Sequence, residues 1–145
     1  MRPLRRPLPV LLVCALIGAA SGCLQRSLPL PPPSITAQGV TVCPPDECPQ
    51  GGLIVTLEGL ALPGAQVVVD DTAAHASAAT GEALTVVTEA TAAGLWRAVL
   101  GPVRVRGRAT VLGPRVGDAL NVFQISAPPA NEVSSSLTVV VIAPR

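Results

Sequence analysis

From Ser34 onward the chain runs as short apolar-rich segments cut by Gly and Pro, the pattern of strands separated by turns. Segments 35–43, 53–58, 65–70, 84–89, 95–100, 103–112, 119–126 and 137–142 are the candidate strands. Gly59-Leu60-Ala61-Leu62-Pro63-Gly64 is the clearest turn signal between two of them. Segment 84–89 is rich in Thr and Val, which fit a pleated, half-buried surface. Residues 73–93 as a whole are rich in Ala, so a short helix there is a competing expectation. About eight short strands with turns between them predict an all-β sandwich. The pairing should be antiparallel, because no long helical crossover separates the strands.

Ahead of these strands lies a different kind of chain. Arg2, Arg5 and Arg6 precede an apolar stretch over residues 8–20, too short to cross a bilayer comfortably as a helix. It ends in Leu16-Ile17-Gly18-Ala19-Ala20-Ser21-Gly22-Cys23, with small residues at the three positions before the cysteine. This layout resembles a bacterial lipoprotein signal, although that family usually has Leu where Ala20 stands. The resemblance implies that residues 1–22 are removed, that Cys23 is lipidated, and that the mature chain is held on a membrane. Leu24 stands where an inner-membrane retention signal would place Asp, which favours the outer membrane. The plainer alternatives are an ordinary secretory signal or an uncleaved N-terminal anchor. Residues 23–33 include Pro29, Pro31, Pro32 and Pro33. Proline forbids regular ladders and favours an extended conformation, so this is a semi-rigid spacer reaching up to roughly 30 Å. The expected organisation is signal 1–22, lipidated spacer 23–33 and one β-sandwich domain over 34–145.

The cleavage changes the charge balance. The whole chain has ten basic residues, all Arg, and nine acidic ones. Without Arg2, Arg5 and Arg6, seven Arg face nine carboxylates, which argues against a nucleic-acid partner. Aromatics are limited to Trp96 and Phe123, so the core must be aliphatic. Their scarcity also argues against a stacking platform of exposed rings for carbohydrate or single-stranded nucleic acid. With Cys14 in the signal and Cys23 lipidated, Cys43 and Cys48 remain, and outside the cytoplasm such a pair most simply forms a disulfide. Zinc would need about four ligands, and His75 is the only histidine.

Pro63-Gly64-Ala65-Gln66-Val67-Val68-Val69 and Gly94-Leu95-Trp96 resemble segments of bacterial immunoglobulin-like modules. So do Gly117-Asp118-Ala119-Leu120-Asn121-Val122 and Asn131-Glu132-Val133-Ser134 with the strand after it. The resemblance covers roughly residues 53–142 and implies an immunoglobulin-like antiparallel sandwich of about seven to eight strands. Segment 101–116 is longer than the usual connection, and 34–52 is an additional strand-like piece with its own cysteine loop.

Candidate chemistry is sparse. If 103–108 is a strand, Arg104, Arg106 and Arg108 share one face and form a candidate anion-binding row, since guanidinium groups bind phosphate or carboxylate bidentately. The simpler account is a solvated strand face answered by Glu89 or Asp118. Asp70-Asp71 and Asp46-Glu47 lack the spacing of a calcium loop and fit solvated turn residues better. Gly-x-Ser-x-Gly, His-Glu-x-x-His and a Gly-rich phosphate cradle are absent from the sequence, and His75 sits in a loop of small residues. Trp96 fits a core plug whose indole N–H finds a backbone carbonyl, with an exposed partner contact as the alternative.

No cofactor or metal is expected. These features predict a non-enzymatic, lipid-anchored envelope protein whose immunoglobulin-like module serves adhesion, surface-complex assembly or envelope structure. Its partners would be the membrane, through Cys23, and an envelope protein or polysaccharide. The alternative is a lipoprotein that binds an anionic ligand or metal ion through Arg104, Arg106 and Arg108 or the Asp-containing loops.

Overall fold

A computed structural model describes residues 28–49, 51–71, 84–104 and 111–145. The signal segment, Cys23, His75, Arg106 and Arg108 lie outside the described residues. All regular structure among the described residues is strand, in the order β1 Ser34–Val42, β2 Leu53–Leu60, β3 Gln66–Asp71, β4 Leu84–Glu89, β5 Leu95–Leu100, β6 Val103–Arg104, β7 Val111–Leu112, β8 Ala119–Ile125 and β9 Leu137–Val140.

Seven of these strands form the expected sandwich. One sheet has the order β1-β2-β5 and the other β4-β3-β8-β9, and all pairings are antiparallel. This arrangement is compatible with an immunoglobulin-like sandwich. It differs from the constant-type pattern in one strand, because β4 pairs with β3 instead of with β5. The additional piece expected over 34–52 is an integral strand, paired with β2 along its whole length.

Alternation at period two builds the core, since successive side chains in a strand point to opposite faces. Val55 and Leu57 of β2, Trp96, Ala98 and Leu100 of β5, and Leu120 and Val122 of β8 all turn inward. Val67 and Val69 of β3 stand beside those of β8 in the second sheet and face β2 and β5 with them. Each fully buried Val or Leu contributes about 1.5–3 kcal/mol relative to exposure, so an aliphatic core of this kind suffices without aromatic bulk. Val68, on the opposite face of β3, is also buried and stands in register between Val87 and Phe123. Phe123 thus belongs to an outer apolar strip, away from the main core.

The segment expected as a single strand over 103–112 is a small hairpin instead. Val103 pairs with Leu112 and Arg104 with Val111, which requires the chain to reverse between them.

Two side-chain amides tie the sandwich together. Gln38, on the inward face of edge strand β1, donates from Nε2 to the Val140 carbonyl on edge strand β9 at 3.2 Å. Gln124, 2% exposed, occupies an inward position of β8. Its Oε1 accepts from the Leu62 N–H at 2.9 Å and its Nε2 donates to the Pro31 carbonyl at 2.7 Å.

Candidate functional site

Strand direction gives the domain two unlike ends. The spacer enters at the start of β1, where Ser34 stands opposite Leu60 at the end of β2. The β2–β3 and β4–β5 connections lie at this same end and are bonded to each other. The Ala61 N–H donates to the Gly94 carbonyl at 2.9 Å, and the Ala90 N–H to the Ala65 carbonyl at 2.8 Å. Gln124 fastens Pro31 here, and Pro33 is buried, so the last residues of the spacer are docked on the domain.

At the far end β1 passes into β2 through the cysteine loop. Cys43 and Cys48 are joined in a disulfide with Cα atoms 5.8 Å apart. The N–H groups of Glu47 and Cys48 donate to the Pro44 carbonyl at 3.1 and 2.8 Å, folding the loop into a tight turn. Cys43 N–H donates to the Gly52 carbonyl at 3.0 Å and closes its base. Cys43 is buried beneath this turn, while Asp46 and Glu47 are exposed. Pro102, which leads into β6, sits at the base of this connection, where a Cβ on Gly52 would collide with its ring. The bases of the β1–β2 connection and of the β6–β7 hairpin are therefore neighbours at the end opposite the spacer. Arg104 belongs to β6, and Asp71 and Leu84, which bound the segment carrying His75, pair at this end too.

The acidic residues singled out in the sequence have separate roles. Asp70 accepts from the Thr85 hydroxyl at 2.9 Å across the β3–β4 pair. Asp71 is fully buried rather than solvated, because period-two alternation carries it inward behind Val67 and Val69. Asp118 closes its own turn, its Oδ2 accepting the Arg115 N–H at 2.7 Å. Among the described residues, no three His, Cys, Asp or Glu side chains converge as a metal site would require.

Trp96 is 4% exposed and lies in the core cluster. Its indole N–H, expected to find a carbonyl, has no acceptor among the described atoms. Glycine on the facing strand makes room for the ring. Gly59 stands opposite Trp96, and a Cβ there would collide with the Ser34 carbonyl oxygen and come within 3.0 Å of Nε1. A register shift between Ile35 and Ala37 accompanies this close approach. The ring is admitted by the missing Cβ, but no acceptor takes its proton. Beside it, Arg97 Nε lies 3.3 Å from Glu58 Oε1 on the outer face.

The sequence reasoning missed Gln124 and Gln38. A signal was present for Gln124, a polar residue at a buried, inward step of an alternating strand, where a partner is obligatory. Comparison with protein families, curated proteins and solved structures finds no match for this chain.

Proposed function

We propose that this is a non-enzymatic envelope lipoprotein, lipidated at Cys23 and held on the outer membrane, whose immunoglobulin-like sandwich presents its far end to an envelope protein or polysaccharide. The observation that carries this reading is the polarity of the domain. Spacer docking through Gln124 and Pro31 lies at one end, and the disulfide-clamped loop and Arg-bearing hairpin lie at the other. A tethered module needs this division, because the end nearest its anchor is occupied by the stalk and recognition falls to the opposite loops. Several acyl chains at Cys23 would make release from the membrane negligible, each buried methylene contributing about 0.8 kcal/mol.

The decisive experiment is Cys23→Ser followed by membrane fractionation. Release of the variant into the soluble fraction is expected, and a variant that stays with the membrane overturns the anchor. Affinity capture with the wild-type protein, repeated with Asp46→Asn and Glu47→Gln together, tests presentation at the far end. Unchanged capture of the same partner would remove the disulfide loop from the interface.

The alternative, an anion-binding lipoprotein, is favoured by one observation: Pro102, which leads into β6 and its Arg104, sits beside Gly52 at the end opposite the spacer. Salt-sensitive binding of anionic polysaccharide that disappears when Arg104, Arg106 and Arg108 are all changed to Ala would select it. Binding that survives this change would discard it.

A further inference from the structure

The β1-β2-β5 and β4-β3-β8-β9 sheets end in unlike edge strands. On one side of the sandwich β1 carries a register shift between Ile35 and Ala37, and its Gln38 bonds the Val140 carbonyl of β9. On the other side lie β4 and β5. The sheet of β4 has one strand more than its partner, and Gln38 ties β1 to β9, so the surplus strand is β4, which projects past β5. Its inward side chains agree with this: Val86 and Thr88 are half-buried, whereas Val67 and Val69 beside them on β3 are 0% exposed. We propose that β4 pairs antiparallel with β4 of a second copy of this chain, about a two-fold axis through Val87.

The direction of the β4 backbone groups follows from the turn after it. The Ala90 N–H donates to the Ala65 carbonyl at 2.8 Å, and the Ala90 carbonyl accepts from the Gly64 N–H at 3.1 Å, so both groups face the β3 side. Direction alternates along a strand, so Leu84, Val86 and Thr88 bond β3 as well. The N–H and C=O groups of Thr85, Val87 and Glu89 therefore point off the edge, where no strand among the described residues pairs with them. Donors and acceptors at this spacing are answered by another extended backbone. The edge of β5 offers less, because both backbone groups of Leu95 are already bonded to Thr91.

The symmetry of the edge makes a second copy the partner. Val87 is the middle one of the three outward-facing residues. With Val87 opposite Val87 of the second copy, Thr85 stands opposite Glu89 and Glu89 opposite Thr85. Each pair then exchanges both of its backbone hydrogen bonds, and no like charges meet directly. The outer side chains match too. Phe123, Val68 and Val87 form one apolar row across β8, β3 and β4. Exposure along it rises from 8% at Val68 to 56% at Val87, where the row meets the open edge. An axis at Val87 continues the row into its own image and covers the exposed valine. Neither Pro, Lys nor a register shift guards β4 against such pairing. The two spacers then leave from opposite ends of the pair, which suits copies anchored on facing membranes. That last consequence rests on lipidation at Cys23; the pairing itself does not.

The full chain is held in zwitterionic detergent, with micelles in large excess so that copies do not share one by chance. Size exclusion with light scattering should show a dimer that grows in between micromolar and millimolar protein. Val87→Lys and Val87→Glu should each weaken it about tenfold or more, because like charges face each other across the axis. An equimolar mixture of the two variants should restore it. Val87→Pro, whose missing N–H points off the edge, should abolish the dimer while still melting as a folded protein. Val87→Cys should be joined to its own copy by a short bismaleimide. Val99→Cys on β5 and Val140→Cys on β9, at positions of similar exposure, should not. A chain that stays monomeric at millimolar concentration ends the proposal, even if its β4 edge captures a different protein. So does a dimer indifferent to both charge variants, or one linked equally well through Val99→Cys or Val140→Cys.

Discussion

Gln124 Nε2 donates to the Pro31 carbonyl at 2.7 Å, joining two residues 93 positions apart in the chain. The same amide accepts from the Leu62 N–H, so one side chain holds the spacer, the β2–β3 turn and β8 together. The hydrogen bonds from the Gln124 N–H to Ser134 Oγ and from the Ser134 N–H to the Gln124 carbonyl, both 2.9 Å, continue the same knot into the loop before β9.

Gln124→Leu keeps the volume and removes both side-chain bonds, leaving the Leu62 N–H and Pro31 carbonyl without their partner. A loss of about 2–4 kcal/mol is expected in urea unfolding. Hydrogen exchange should also accelerate at the Leu62 amide, whose acceptor is gone. A variant as stable and as protected as wild type would mean that the Gln124 side chain does not hold the spacer and the β2–β3 turn together.

Gly59→Ala places a methyl group against the Ser34 carbonyl, a backbone atom that cannot swing aside. The expected penalty is about 1–3 kcal/mol, with hydrogen exchange accelerated at the start of β1. Gly39→Ala, on β1, has only the Thr56 Cβ at 3.9 Å and should be nearly neutral in the same assay. Equal effects at the two positions would contradict the close approach.

Reduction of Cys43–Cys48, or their joint replacement by Ala, should lower stability by about 2 kcal/mol, the entropy returned to the unfolded chain by opening so short a loop. Thiol labelling of unfolded, unreduced protein should find neither cysteine. Labelling of both, with no change in melting on reduction, would refute the bond.

The Glu58–Arg97 pair lies between side chains that are 47% and 66% exposed, so water and salt screen it strongly. Arg97→Ala should therefore shift unfolding by less than about 1 kcal/mol. A much larger effect, or one insensitive to salt, would show that the pair is held in a drier setting than its exposure indicates.

How far the sequence foretold this structure depends on which interactions were local. The inward faces of β2, β5 and β8 were legible because one buried face imposes a strict period of two, as in Val55-Thr56-Leu57 and Trp96-Arg97-Ala98. The partner of β4 was not legible, since a strand with Leu84, Val86 and Thr88 on its inward face suits the edge of either sheet. The break within 103–112 was hidden because Arg and Val continue the alternation toward Gly107. The burial of Asp71 followed from phase, and the polar letter at a strand end concealed it. Nothing local could reveal the buried indole N–H of Trp96, without an acceptor among the described atoms, because its neighbour there is Gly59 of the facing strand.

The spacer joins the domain at Ser34, and from there β1 runs the length of β2 with its hydrogen bonds set across the strand axis. A pull on the spacer that is resisted on β5 or at the β6–β7 hairpin would therefore load that ladder in shear, its rungs strained together and not peeled singly. The Gln124–Pro31 bond lies upstream of the ladder and would be loaded before it.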